Sequence, residues 1–190
     1  MDRDLSNFRP SKLWRRMPLE RRVDAAGLFW DDEHSADQQM EAVAAIATHM
    51  KFRPRSVITL APDKRAKYLA QLPTVTDAIA ARALVNYHLE RQRPMMGAFL
   101  DLLGIPHENG LINEDQVAKP DAEKVKQAAK DLAEKYPAED VSLYLTTLVS
   151  QDPETWESLA EITEGTEGTD PKRTDPKNEA TKATEGTKGS

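Results

Sequence analysis

The chain contains no cysteine. That absence excludes disulfide scaffolds, thiolate-ligated zinc and iron–sulfur centres, and any thiol nucleophile. Glycine is scarce too, and before residue 163 only Gly27, Gly97, Gly104 and Gly110 occur. None of them stands in the G-x-G-x-x-G or G-x-x-x-x-G-K spacing that cradles phosphate groups. No H-E-x-x-H zinc motif and no G-x-S-x-G elbow is found. The longest aliphatic run, Ala42 to Ala47, falls far short of the roughly 20 apolar residues of a membrane span. Met1 to Asp4 lead into Arg9, Arg15 and Arg16 with no apolar core between them, unlike a secretory signal. These absences lead us to expect a soluble protein of the reducing cytosol, cytoplasmic, with no membrane contact, no cofactor and no metal.

What the chain does have is helical periodicity. Leu19, Val23, Ala26 and Trp30 recur at helical spacing after Pro18, a favourable first helical residue. Ser35 is positioned to cap a helix with Met40, Val43, Ala44, Ala47 and Met50 on one stripe. Thr74 and Asp77 resemble a capping box ahead of Ala78, Ala81, Val85 and His88. Pro94 breaks or restarts that helix, and Gly104 stops the face of Met95, Phe99, Leu102 and Leu103 as a left-handed cap. Ala122, Val125, Ala129, Leu132 and Tyr136 form the next stripe, ended by Pro137. Val141, Tyr144, Leu145 and Leu148 form another, and Asp152-Pro153 opens a last short helix with Trp156 and Leu159 inward. Ser56 to Leu60 is the one β-branched run, and its length does not separate a strand from a buried helical turn. The pattern predicts an all-α fold, a single compact domain of about eight or nine helices, several of them short. The domain spans 1–162, with a candidate sub-division near 104–118.

Residues 163–190 have no aromatic side chain, and only Ala180 and Ala183 are apolar. Glu-Gly-Thr recurs at Glu164, Glu167 and Glu185, and Thr-Asp-Pro-Lys at Thr169 and Thr174. Such a segment cannot bury enough surface to offset roughly 1–2 kcal/mol of backbone entropy per residue, and a disordered low-complexity tail is expected. Its charges are mixed, which suits a solubilising tail better than a nucleic-acid arm.

Charge divides along the chain. Residues 1–100 carry 16 bases and 12 acids, whereas 101–162 carry 5 bases and 14 acids. The bases are grouped: Arg9, Lys12, Arg15, Arg16, Arg21 and Arg22; then Lys51, Arg53 and Arg55; then Lys64, Arg65 and Lys67; then Arg91 and Arg93. The polarity favours docking or head-to-tail contact over general polyanion binding. A helix–turn–helix can be drawn between Asp63 and Arg93, although its reading helix offers Arg82 alone.

Several clusters could carry chemistry, each beside a plainer reading. Asp31, Asp32, Glu33 and His34 could offer oxygen ligands to a cation, but consecutive residues point in different directions, and a solvated helix end fits better. His88 and His49 lie on helical stretches without acidic partners and read as packed histidines. In the Gly104–Ile112 segment, His107, Glu108 and Asn109 sit on the strongest turn chemistry of the chain, either an acid/base or partner-binding loop or a structural crossover. Phe8, Trp14, Phe29 and Trp30, among arginines, resemble interface anchors of a groove or dimer surface near Phe8 to Trp30, against the reading that Trp14 and Trp30 plug the core.

The leading expectation is a non-catalytic protein–protein interaction or adaptor module, binding a protein partner or itself. Its contact residues would be Phe8, Trp14, Arg15, Arg16, Arg21, Arg22, His107, Glu108 and Asn109. The first alternative is a nucleic-acid-binding regulator using the N-terminal bases. The second is an enzyme or small-ligand site around the His107 loop, which needs His88, His107 and Glu108 in one pocket.

Overall fold

The computed structural model describes residues 5–112 and 119–166, with side chains described through Thr163. Residues 167–190 of the expected tail, and 113–118 of the expected sub-division, lie outside the described residues. The fold is all-α: ten α-helices and no strand occur among the described residues. They are α1 (Pro10–Arg16), α2 (Leu19–Asp31), α3 (Ala36–Met50), α4 (Pro54–Ile58), α5 (Pro62–Gln71), α6 (Asp77–Arg91) and α7 (Arg93–Leu103), then α8 (Ala122–Lys135), α9 (Ala138–Gln151) and α10 (Glu157–Thr166). Short 3-10 turns at Leu5–Phe8 and Glu33–Ser35 precede α1 and α3.

Prolines set many of the starts. Pro10, Pro54, Pro62 and Pro94 sit in the first turns of α1, α4, α5 and α7, where a missing N–H costs no hydrogen bond. The Ser56–Leu60 run is therefore not a strand: Ser56 to Ile58 complete α4, and Val57 is its buried residue. Several helix starts differ from expectation: Pro18 is the N-cap of α2 and not its first residue, and α10 begins at Glu157, past Asp152-Pro153, where the Asp152 side chain accepts from the Thr155 N–H at 3.1 Å. Thr76, not Thr74, caps α6 by accepting from the Ile79 N–H. Ser35 makes no side-chain cap bond to α3; its hydroxyl donates to Asp32 instead. The last helix runs beyond residue 162, and the Thr163 hydroxyl is buried and donates to the Leu159 carbonyl at 2.9 Å.

The buried apolar residues fall into two clusters. One joins α1 to α6 through Leu13, Trp14, Phe29, Trp30, Ile46, Leu69 and Leu84. The other joins α7 to α10 through Met95, Phe99, Val125, Leu132, Tyr144, Trp156 and Leu159, and it also takes Phe8 from the start of the chain. The change of cluster along the chain falls between Tyr87 and Met95, at the α6–α7 corner, and so precedes the 104–118 segment. The clusters are stitched together there: His88 on α6 meets Thr147 on α9 at 3.0 Å, and its ring lies edge-on to Tyr144 at 5.6 Å.

Candidate functional site

The expected contact residues separate into three groups. Phe8 and Trp14 are 5% and 2% exposed and belong to the two core clusters, so neither is a surface anchor. Apolar burial stabilises the fold by roughly 25 cal/mol per Å2, and large rings are the side chains that gain most from it. Trp30 is likewise in the core, where the Arg65 guanidinium covers its ring at 5.1 Å.

The arginines have individual fates. Arg15 and Arg16 are exposed in the last turn of α1, where a cation complements the negative end of the helix dipole. Arg22 is half-buried. Arg21 crosses to α9 and pairs with Asp140 at 2.7 Å and Glu139 at 3.3 Å. That pair joins the basic half of the chain to the acidic half, so part of the sequence polarity is neutralised inside the molecule. Arg91 likewise forms a two-pronged pair with Asp24, at 2.8 and 2.7 Å, and Arg9 meets Asp77 at 3.5 Å. Three of the grouped bases, Arg9, Arg21 and Arg91, are thus engaged by carboxylates, while Lys12, Arg15 and Arg16 are exposed. Helix α6, the reading helix of the drawn helix–turn–helix, is buried through Ile79, Ala83, Leu84 and Tyr87, and its Arg82 is held by Asp32 at 2.6 Å.

The His107 loop is a structural clasp. Asn109 and Gly110 both have positive φ, 51° and 84°, and Glu108 and Leu111 exchange backbone hydrogen bonds at 2.7 and 3.0 Å across them. This is the primed two-residue turn that Asn-Gly favours. His107 Nδ1 accepts from the Gly110 N–H at 3.1 Å, and Nε2 reaches Asp101 at 3.1 Å. Gly97 and Gly110 let the loop lie against α7. A Cβ on Gly97 would stand 3.2 Å from the His107 ring, and one on Gly110 would stand 2.9 Å from Met96 Cβ. Asn109 and Glu108 are exposed on the outer side.

His88 and His107 are anchored to different partners. His88 is 2% exposed and bonded to Gln92 and Thr147, whereas His107 is bonded to Asp101 and Gly110. The acidic run is not solvated throughout: Asp32 accepts from Arg82, Ser35, Asn86 at 3.1 Å and the His34 N–H at 3.0 Å. The Arg82 guanidinium, above all, holds its carboxyl well below the usual carboxylate range.

A groove does form where the aromatic and basic N-terminal stretch passes α9. It has a volume of about 460 Å3. Leu13, Met17, Pro18 and Leu143 give it apolar walls, and Arg16 and the Arg21–Glu139 pair lie along it. Its far wall is made by Ala138, Ser142 and Thr146 of α9. These three are spaced i, i+4 and i+8, one line of small side chains along a helix, and their size leaves the space open. This line lies beside the stripe of Val141, Tyr144, Leu145 and Leu148, and the run of small residues is its only mark in the sequence. Arg16 and Arg21 are thus brought to one site; Phe8, Trp14 and the His107 loop are not part of it.

No protein-family model matches the chain, and no curated protein or solved structure matches it. No helix among the described residues is long and apolar enough to cross a membrane.

Proposed function

We propose that the protein is a non-catalytic docking module whose contact site is the groove between the α1–α2 elbow and α9. The observation that supports this reading is the open apolar channel beside Met17 and Leu143, with Arg16 at its edge. An apolar pocket rimmed by charge is what receives the anchor side chain of a partner segment. The groove's walls hold ion pairs and small hydroxyls, with no histidine and no carboxylate apart from the Glu139 that Arg21 engages. That composition suits recognition better than acid/base chemistry. The cysteine-free chain is at home in a reducing cytosol, and we place it there.

Ala138 is exposed on the groove wall, so Ala138→Trp fills the channel without disturbing the core. The expected result is that a partner retained by the unmodified protein is lost by the variant, while helicity and melting are kept. Retention of the same partner by the filled groove contradicts the reading.

A further inference from the structure

We infer that the corner formed by the end of α3, α4 and the start of α5 is a second contact surface, built for an acidic protein segment that carries an apolar side chain among its carboxylates. The inference rests on charge, exposure and backbone shape, and it is independent of the α9 groove.

Lys51, Arg53, Arg55 and Lys64 are all exposed here, and among the described residues none of them meets a carboxylate within ion-pair distance. Arg9, Arg21, Arg82 and Arg91 each have a carboxylate partner, whereas this stretch of chain groups four exposed bases that have none. Asp63 is the one acid between residues 51 and 67, and it lines a different groove with Asp24 and Asp31. Phe52 and Ile58, in the same stretch of chain as the bases, are 38% and 48% exposed. The Phe52 ring lies edge-on to Tyr68 at 5.8 Å, which ties the α3 end to α5 and makes one surface of the two. Tyr68 and Lys64 share a face of α5, four residues apart.

The backbone presents these groups. Lys51 ends α3 in the left-handed region, φ 56° and ψ 36°, a conformation that a non-glycine residue takes only at a cost. The reversal turns Phe52 and Arg53 outward. Helix α4 is five residues long and buries only Val57, so Arg55 and Ile58 face solvent from a short pinned turn. Exposed apolar side chains ringed by one sign of charge fit a partner with an apolar anchor and an acidic rim. A nucleic acid would use the bases and leave Ile58 without a role.

The full chain is titrated at low and at physiological salt with a labelled peptide of alternating Glu and Leu. An all-Glu peptide of equal charge and an oligo-dT of equal charge are run beside it. The expected order is Glu–Leu peptide tightest, with Ile58→Ser weakening it about tenfold and a combined Arg53→Glu, Arg55→Glu, Lys64→Glu variant abolishing it. Ala138→Trp should leave it unchanged. These side chains are exposed, and a melting curve for each variant checks that it folds. Equal or tighter binding of the all-Glu peptide or oligo-dT would overturn the proposal in favour of a polyanion site. Binding that the variants do not weaken, or no binding at all, would overturn it. So would self-association of the unmodified protein that the charge-reversed variant loses, because a second copy would then be the occupant.

Discussion

His88 sits between Gln92 and Thr147 with its ring enclosed by Tyr87 and Tyr144. The ring nitrogens face the Gln92 side-chain amide and the Thr147 hydroxyl, and that hydroxyl donates its own hydrogen to the Leu143 carbonyl at 2.7 Å, so it meets Nε2 as an acceptor. Burial pushes its pKa down to about 4, against the opposing pull of the Gln92 hydrogen bond. The unfolded chain takes up this proton near pH 6.5 and the folded protein resists it to about 4, so acid favours unfolding in that interval. Stability should be flat above about pH 6.5 and fall by roughly 3 kcal/mol on going down to pH 4. Urea denaturation from pH 8 to 4 measures this, and His88→Leu should flatten the profile. Asp32, Asp77 and Asp152 have lowered pKa values, so their stabilisation is present above the ordinary carboxylate range and is lost from about pH 5 downward, adding to the loss only at the acid end of this window. His88 is packed as expected, but not on the expected line: Ala78 is exposed, Ala81 and Val85 are half-buried, and Ile79, Ala83, Leu84 and Tyr87 form the inward face, while His49, expected to be packed too, is exposed. The role of Asp32 was not legible in the sequence, because its partners Arg82 and Asn86 lie 50 and 54 residues away and leave no local signal.

At the scale of elements, the clasp of the His107 loop on α7 depends on two glycines. Gly110→Ala would put a side chain at φ 84° and 2.9 Å from Met96 Cβ. Strain at φ above zero adds to the overlap, and the variant should lose roughly 2 kcal/mol of stability. Amide exchange at Glu108 and Leu111 should rise with it, because their paired backbone bonds hold the turn. Unchanged exchange would show that the turn does not need the close approach. The turn itself was readable from Asn109-Gly110, since Asn and Gly tolerate positive φ. The clasp was not, because it depends on what faces Gly97 and Gly110 across the fold. Long helices were likewise clear from periodicity. Helices α1 and α4, with seven and five residues, are too short to display a full apolar stripe, and their first-turn prolines were the better mark.

For the whole molecule, most aromatic residues hold the core, with Phe52 the exposed exception, and the helix edges hold the contacts. The expected surface anchors Phe8 and Trp14 fill the two clusters, since burial of large rings outweighs their use outside. The basic and acidic halves meet at Arg21 and Asp140, which turns a polarity along the chain into a bond within the fold. The groove needs three residues of α9 that no pattern linked to the N-terminus. Its position was half legible: the stretch from Phe8 to Trp30 suggested a groove, and Leu13, Arg16, Met17 and Arg21 line one. The most direct measurement is site-specific photo-crosslinking in the full chain, with the reactive group at Ser142 in the groove or at exposed Lys130 on α8. A docking groove predicts one discrete adduct from position 142, lost when Ala138→Trp is added, and none from position 130. Equal adducts from both positions, or an adduct that survives the filled groove, would contradict the account.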